Sequence, residues 1–217
     1  MKRTLLLFIL LISFLGFGQS PKYFNGMIKH KHSYKSDKYK ADSIAQNKSI
    51  GDIYYFHDNI YQGITFTGEN KLIYTYDSER NSCLGYNLKQ SNISCLDYSI
   101  NKGDTLTKSY KKNGSFTING VECELIVLEY PNITYHEYVT DGFYIDPKLY
   151  LNHQAFDFVS KMKATNGRAS IRTEIIMNDY TMIIDMIEFK ESKEPLTDLS
   201  QFDEWWKLCA GSKSVTE

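Results

Sequence analysis

Proline is scarce in this sequence, at four residues in 217, and no low-complexity block, internal repeat or linker interrupts it. One domain large enough to bury a core is therefore expected over residues 20–217. Neither charge dominates, since 25 Lys and Arg stand against 26 Asp and Glu. That balance argues against the basic stripe of a nucleic-acid groove and against a general attraction to anionic membranes. The four cysteines include no C-x-x-C pair, so neither thiol redox chemistry nor a zinc knuckle is indicated. There is no G-x-S-x-G elbow, P-loop, H-E-x-x-H helix or Rossmann glycine pattern. With them go the enzyme classes that carry a local signature. No catalytic residue, metal or cofactor is expected.

Long apolar runs are also missing. Residues 5–17 form the one extended stretch, and it falls short of the ~20 residues that a spanning helix needs. It follows Lys2 and Arg3 and ends at Gly16, Gly18 and Gln19. A short positive start, an apolar core and small residues before a polar boundary read as a secretory signal peptide over residues 1–19. No cysteine lies near the cleavage site to carry a lipid. The expected product is periplasmic or secreted, with no transmembrane segment in the mature chain. Without Lys2 and Arg3, 23 basic residues face 26 acidic ones.

What the chain has in quantity is strand formers, with 17 Tyr and 12 Phe. Residues 118–147 carry the strongest signal. Runs at 121–130 and 133–140 flank Pro131 and Asn132, with Asn119-Gly120 and Asp141-Gly142 at the outer ends. Those Gly dipeptides favour the positive φ of tight turns. Val121, Cys123, Leu125 and Val127 on one face, and Ile126, Leu128 and Tyr130 on the other, make the first run apolar on both sides. It is therefore placed at the centre of a sheet covered on both faces. Further strands are expected at 22–34, 52–57, 60–67, 71–77, 83–88, 93–100 and 105–111, with turns at Asp58-Asn59 and Asn113-Gly114. Residues 36–49 read as a long loop with a helical turn near 41–46. Residues 150–163 read as a short helix or a structured loop, and residues 171–190 as a half-buried hairpin turning at Asn178-Asp179.

Near the C-terminus, Phe202, Trp205, Trp206 and Cys209 fall at i, i+3, i+4 and i+7. That is one apolar stripe on a helix, open to a sheet, a membrane or a partner. The fold class expected is mainly β (α+β): an antiparallel curved sheet or half-barrel packed against one to three helices, this one included. Of the cysteines, Cys83 and Cys95 lie on adjacent strands and make the better disulfide pair, Cys123 with Cys209 would be a second one tying the closing helix to the central strand, and four buried free thiols are the other reading. His30 and His32 share one strand face, which starts but does not complete a metal site. Asp141 and Asp146 bracket a short run and are read as turn and strand-end residues rather than an acid–base pair. A concave face lined by aromatics and aliphatics can hold an apolar ligand. The candidate lining residues are Tyr54, Phe56, Tyr74, Tyr76, Leu125, Val127, Tyr135, Trp205 and Trp206.

The segments FNGMI (24–28), INGVEC (118–123), YIDP (144–147) and LSQF (199–202), with the long strands between them, resemble one group in order and pattern. It is the exported proteins of Bacteroidetes-type bacteria that are similar to the periplasmic lipoprotein-carrier (LolA/LolB-like) superfamily. The resemblance implies an antiparallel half-barrel curled over helices with an apolar cavity between them, and it implies lipid or lipoprotein handling. Two functional expectations follow. One is a soluble carrier for a lipid, an acyl chain or an acylated peptide; the other is a cell-envelope module with a filled core that binds an envelope protein through its surface or its tryptophan helix.

Overall fold

The structure is a computed structural model that describes residues 23–87, 89, 92–194 and 204–207. The signal-peptide region, Cys209 and most of the C-terminal helix region lie outside them. The strands are β1 (Gly26–Lys35), β2 (Gly51–His57), β3 (Ile60–Thr67), β4 (Asn70–Asp77), β5 (Ser82–Asn87) and β6 (Asn92–Asp97). They continue with β7 (Lys108–Ile118), β8 (Val121–Glu129), β9 (Thr134–Tyr144), β10 (Arg168–Ile176) and β11 (Thr181–Glu191). All eleven form one antiparallel sheet in the order β6-β5-β4-β3-β2-β1-β11-β10-β9-β8-β7. The chain thus runs as two meanders joined where β1 pairs with β11. The sheet is curved but not closed, a half-barrel with edges at β6 and β7. None of the helices among the described residues is long and apolar enough to cross a membrane.

Three turn expectations meet different outcomes, each with a register reason. Asn119 (φ 51°) and Gly120 (φ 81°) form the two-residue link between β7 and β8, flanked by the Ile118–Val121 pair, as their left-handed preference predicts. Asn113-Gly114 does not turn the chain. It lies within β7 where the pairing slips between Lys112 and Phe116, and Gly114 takes φ 125° at that irregularity. Asp141-Gly142 likewise sits inside β9, close to the slips in its pairing with β10. A glycine dipeptide marks positive φ, and a long strand uses that for a bulge as readily as a hairpin does.

The run apolar on both faces, β8, is also not central: it is the second strand from the β7 edge. Its inner face, with Ile126, Leu128 and Tyr130, packs with Val139 beneath Ala164. Leu125 and Val127 point outward and are still 2% exposed each. Beside them Phe116 and Tyr138 meet edge to face. Aromatic neighbours on flanking strands can cover a strand near an edge, so two-sided apolarity does not by itself place it in the middle.

The inner face is covered by what lies between β9 and β10. Pro147–Tyr150 and Ala155–Asp157 are 3-10 turns, and Phe158–Thr165 is a helix that follows α1 (Ala41–Ala45) in the chain and is termed α2. Residues 150–163 are thus part structured turn and part helix. The segment joining β6 to β7, residues 98–107, connects the two edges of the sheet. It is tied to the insert: Gln154 N–H donates to the Tyr98 carbonyl (2.7 Å), and Leu106 N–H donates to Asp157 (2.8 Å).

Across β2 to β6 the register stacks Tyr54, Gly63, Tyr74, Gly85 and Ser94 in one inner row. A Cβ built on Gly63 would meet the Tyr74 ring at 2.2 Å, so the glycine makes the space in which that ring lies. Gly63→Ala is expected to destabilise the protein by about 1–3 kcal/mol through overpacking, measured as a lower urea midpoint at unchanged slope.

Candidate functional site

Between the inner face and the insert lie two cavities, of about 410 and 460 Å³. Tyr54 and Phe56 line both from the sheet, while Phe156, Phe158 and Lys161 line both from the insert. The first cavity extends over β3–β6 toward Leu72, Gly85 and Leu96, and the second over β1 and β9–β11 toward Ile28, Ile184 and Met186. Most of the lining is aromatic or aliphatic. Small residues create the room in the first cavity. Gly85 brings no side chain to its floor, and the nearest atom a Cβ there would meet is the Ser94 hydroxyl at 2.6 Å.

Beside the first cavity the aromatic packing is dense. Tyr61 contacts Tyr54, Phe56, Tyr74 and Tyr76, and then reaches Tyr150 and His153 on the insert. His153 is 1% exposed, with its Nε2 2.8 Å from the Tyr61 hydroxyl and its ring against Tyr76, Tyr98 and Phe158. Burial lowers its pKa to about 4, so it is neutral at physiological pH. Burial likewise pushes the Cys83 thiol up to about 11, against an opposing hydrogen bond from Tyr98. The tyrosine hydroxyls of Tyr54 and Tyr61 are held far above their ordinary range by burial. None of these groups is poised to exchange protons near neutral pH.

The floor of the second cavity carries two carboxylates, Asp52 and Glu137, that already have hydrogen-bond partners. Asp52 lies between the two strand histidines, 2.6 Å from His30 Nδ1 and 2.8 Å from His32 Nε2. Burial raises its pKa, and the two histidine hydrogen bonds outweigh that, so the carboxyl ends below its ordinary value. The two histidines share a strand face as expected, and a single carboxylate divides its oxygens between them. No metal-holding group of three or more His, Cys, Asp or Glu occurs among the described residues. Glu137 accepts hydrogen bonds from the Ser170 and Thr173 hydroxyls, each at 2.6 Å.

The residues expected to line a cavity divide cleanly. Tyr54, Phe56 and Tyr74 do line one, and so does Tyr135. Tyr76 is on the same face but fully buried among its neighbours. Leu125 and Val127 are excluded, because they pair with Tyr138 and His136 on the outer face while Tyr135 and Glu137 point inward. Trp205 and Trp206 also belong outside. They pack with Leu84, Ile73, Ile93 and Cys95, and Trp205 stacks near Tyr86. The stripe of the C-terminal segment, as far as it is described, is thus spent on the outer face of β4–β6.

The same alternation corrects the cysteine pairing. Cys83 sits opposite Leu96 and Cys95 opposite Leu84, so adjacent strands place the two sulfurs on opposite faces. Cys83 is a free thiol in the inner core, and Cys123 is free and buried too, which removes the Cys123–Cys209 link as well. Asp141 contacts Arg168 and the Tyr144 hydroxyl, and Asp146 caps the first 3-10 turn by accepting from Lys148 N–H. The two act in separate local contacts.

Sequence reasoning did not single out His153, Phe156, Phe158 and Lys161 as lining residues. The helix-like spacing of Ala155, Phe158 and Met162 was a partial signal. For Phe156 there was none: it and Asp157 take left-handed φ of 56° and 54°, held by hydrogen bonds to Asp157 from Leu106 N–H and from Ser160 Oγ.

With this geometry in hand, comparison with known proteins is limited to overall shape. No protein-family model matches the chain, and no curated protein matches it. Among solved structures it is similar to PNGF-II, with a TM-score of 0.46 at 12% identity, covering 82% of this chain and 30% of that one. The chain thus spans less than a third of PNGF-II. It is also similar to the Mycobacterium tuberculosis lipoprotein LppX, with a TM-score of 0.38 at 10% identity over 78% of this chain and 89% of that one. A putative outer membrane lipoprotein-sorting protein domain from Vibrio parahaemolyticus gives a TM-score of 0.39 at 6% identity over 84% and 91%. At such identities, function has to be argued from the site itself.

Proposed function

We propose that this protein is a non-catalytic carrier of the cell envelope that shelters an apolar ligand, a lipid or the acyl chain of a lipoprotein or peptide, between its sheet and the β9–β10 insert. The observation that carries the proposal is the pair of adjoining cavities, lined largely by aromatic and aliphatic side chains and sharing the floor of Tyr54 and Phe56. Burying a chain there removes apolar surface from water at about 25 cal/mol per Å², and the buried carboxylates of Asp52 and Glu137 beneath it already have hydrogen-bond partners. Export through an N-terminal signal peptide over residues 1–19 and a single domain over residues 20–217 belong to the same proposal.

Native mass spectrometry of the protein purified from its own envelope, followed by organic extraction, tests it. A bound mass that extracts as a defined lipid is the expected result. An apo mass, with no uptake when delipidated protein is offered lipids or acylated peptides, would sink the carrier reading.

A further inference from the structure

Lys161 on α2 lines both cavities and a third, smaller one beside Tyr130. Its Nζ lies 3.9 Å from the centre of the Tyr135 ring and 5.8 Å from that of Tyr130. A ring face softens the cost of holding an ammonium beside apolar volume but accepts no N–H hydrogen bond in the plane, and an ammonium has three N–H donors. No described carboxylate forms an ion pair with it. The other charged groups lining the second cavity are occupied: Arg168 by Glu124 at 2.8 Å and Asp141 at 3.4 Å, Asp52 by its two histidines, and Glu137 by two hydroxyls. Among the described residues, Lys161 is thus a half-buried cation without an anion, at the junction of the two apolar limbs.

We propose that Lys161 holds the anionic head group of an amphiphile whose hydrocarbon enters these cavities. The proposal rests on the carrier reading and narrows it to ligands with a negative head. A monoanion such as a carboxylate matches the single charge. A charge-assisted hydrogen bond in a partly desolvated site is worth enough to discriminate by about tenfold or more.

The test offers delipidated protein two probes with the same chain, hexadecanoate and hexadecanol, at a pH where the acid is ionised. The wild type is expected to bind the acid about tenfold or more tightly than the alcohol. Lys161→Met should bring acid binding down to the level of the alcohol while alcohol binding holds, and Lys161→Arg should keep the preference. Matching thermal unfolding of the three proteins guards against a folding effect. Equal binding of acid and alcohol by the wild type, or a preference that survives in Lys161→Met, overturns the head-group assignment alone. Binding of neither probe by the wild type overturns the carrier reading along with it.

Discussion

On acidification from pH 7 to pH 4, the wild-type protein should lose about 3 kcal/mol more unfolding free energy than His153→Phe, because burial lowers the folded-state pKa of His153 to about 4. The unfolded chain binds a proton at this imidazole below about pH 6.5. The folded chain resists until about pH 4. The stabilisation from a neutral, buried His153 is therefore complete above the unfolded value and is lost as the pH falls toward the folded one. Phenylalanine keeps an aromatic ring among Tyr61, Tyr76, Tyr98 and Phe158 and cannot take up a proton. It also costs the Tyr61 hydroxyl its partner, about 1 kcal/mol at neutral pH. Urea unfolding of both proteins at the two pH values reads the difference. Asp52 adds acid sensitivity of its own, since its lowered pKa gives stability that is present above about pH 3.9 and lost as pH falls through the folded value. That contribution is common to both proteins and cancels. Parallel pH dependence would mean that His153 is solvated in the native state.

Gly85→Phe should fold and fail to load. The position has ordinary negative-φ strand geometry, and its Cβ would press only on the end of the Ser94 side chain, which can rotate away. A benzyl group there projects into the cavity of about 410 Å³ beside Tyr74. Replacing a strand glycine recovers β-propensity, so the net change in stability is expected within about 1 kcal/mol. Lipid uptake, in contrast, should fall by about tenfold or more, since overpacking an occupied volume typically costs about 1–3 kcal/mol. Unchanged uptake with an unchanged fold would move the ligand out of this cavity. The companion Gly63→Ala separates the two roles of glycine in this row, because the space at Gly63 is filled by the Tyr74 ring whereas the nearest neighbour at Gly85 is the end of the Ser94 side chain.

Where the structure places the residues singled out in the sequence follows a physical logic. Period-2 alternation placed Tyr54, Phe56 and Tyr74 on strands, and those side chains do reach the cavities. The same alternation, taken one residue out of phase, puts Leu125 and Val127 on the outer face, and the tryptophan-bearing helical turn packs on the outer face of β4–β6. Which face is inner depends on the direction in which the sheet curls, and a strand carries no local mark of that. The Cys83–Cys95 pairing failed for a related reason: proximity of strands is readable, but a one-residue difference in register sends the two sulfurs to opposite sides.

Sequence by itself determined the class of fold, an antiparallel curved sheet with short turns, because tyrosine, phenylalanine and β-branched residues at alternating positions suit little else when proline is scarce. It also marked most of the strands and the Asn119-Gly120 hairpin, since those features are set by residues close in the chain. Only the tertiary structure decided where the meander divides, with β1 paired to β11 and β8 near an edge. It alone brought Phe156, Phe158 and Lys161 over Tyr54 and Phe56 to enclose the cavities. Those contacts join residues about a hundred positions apart, where the preference of any one segment is weak and the burial of a shared inner face settles the arrangement.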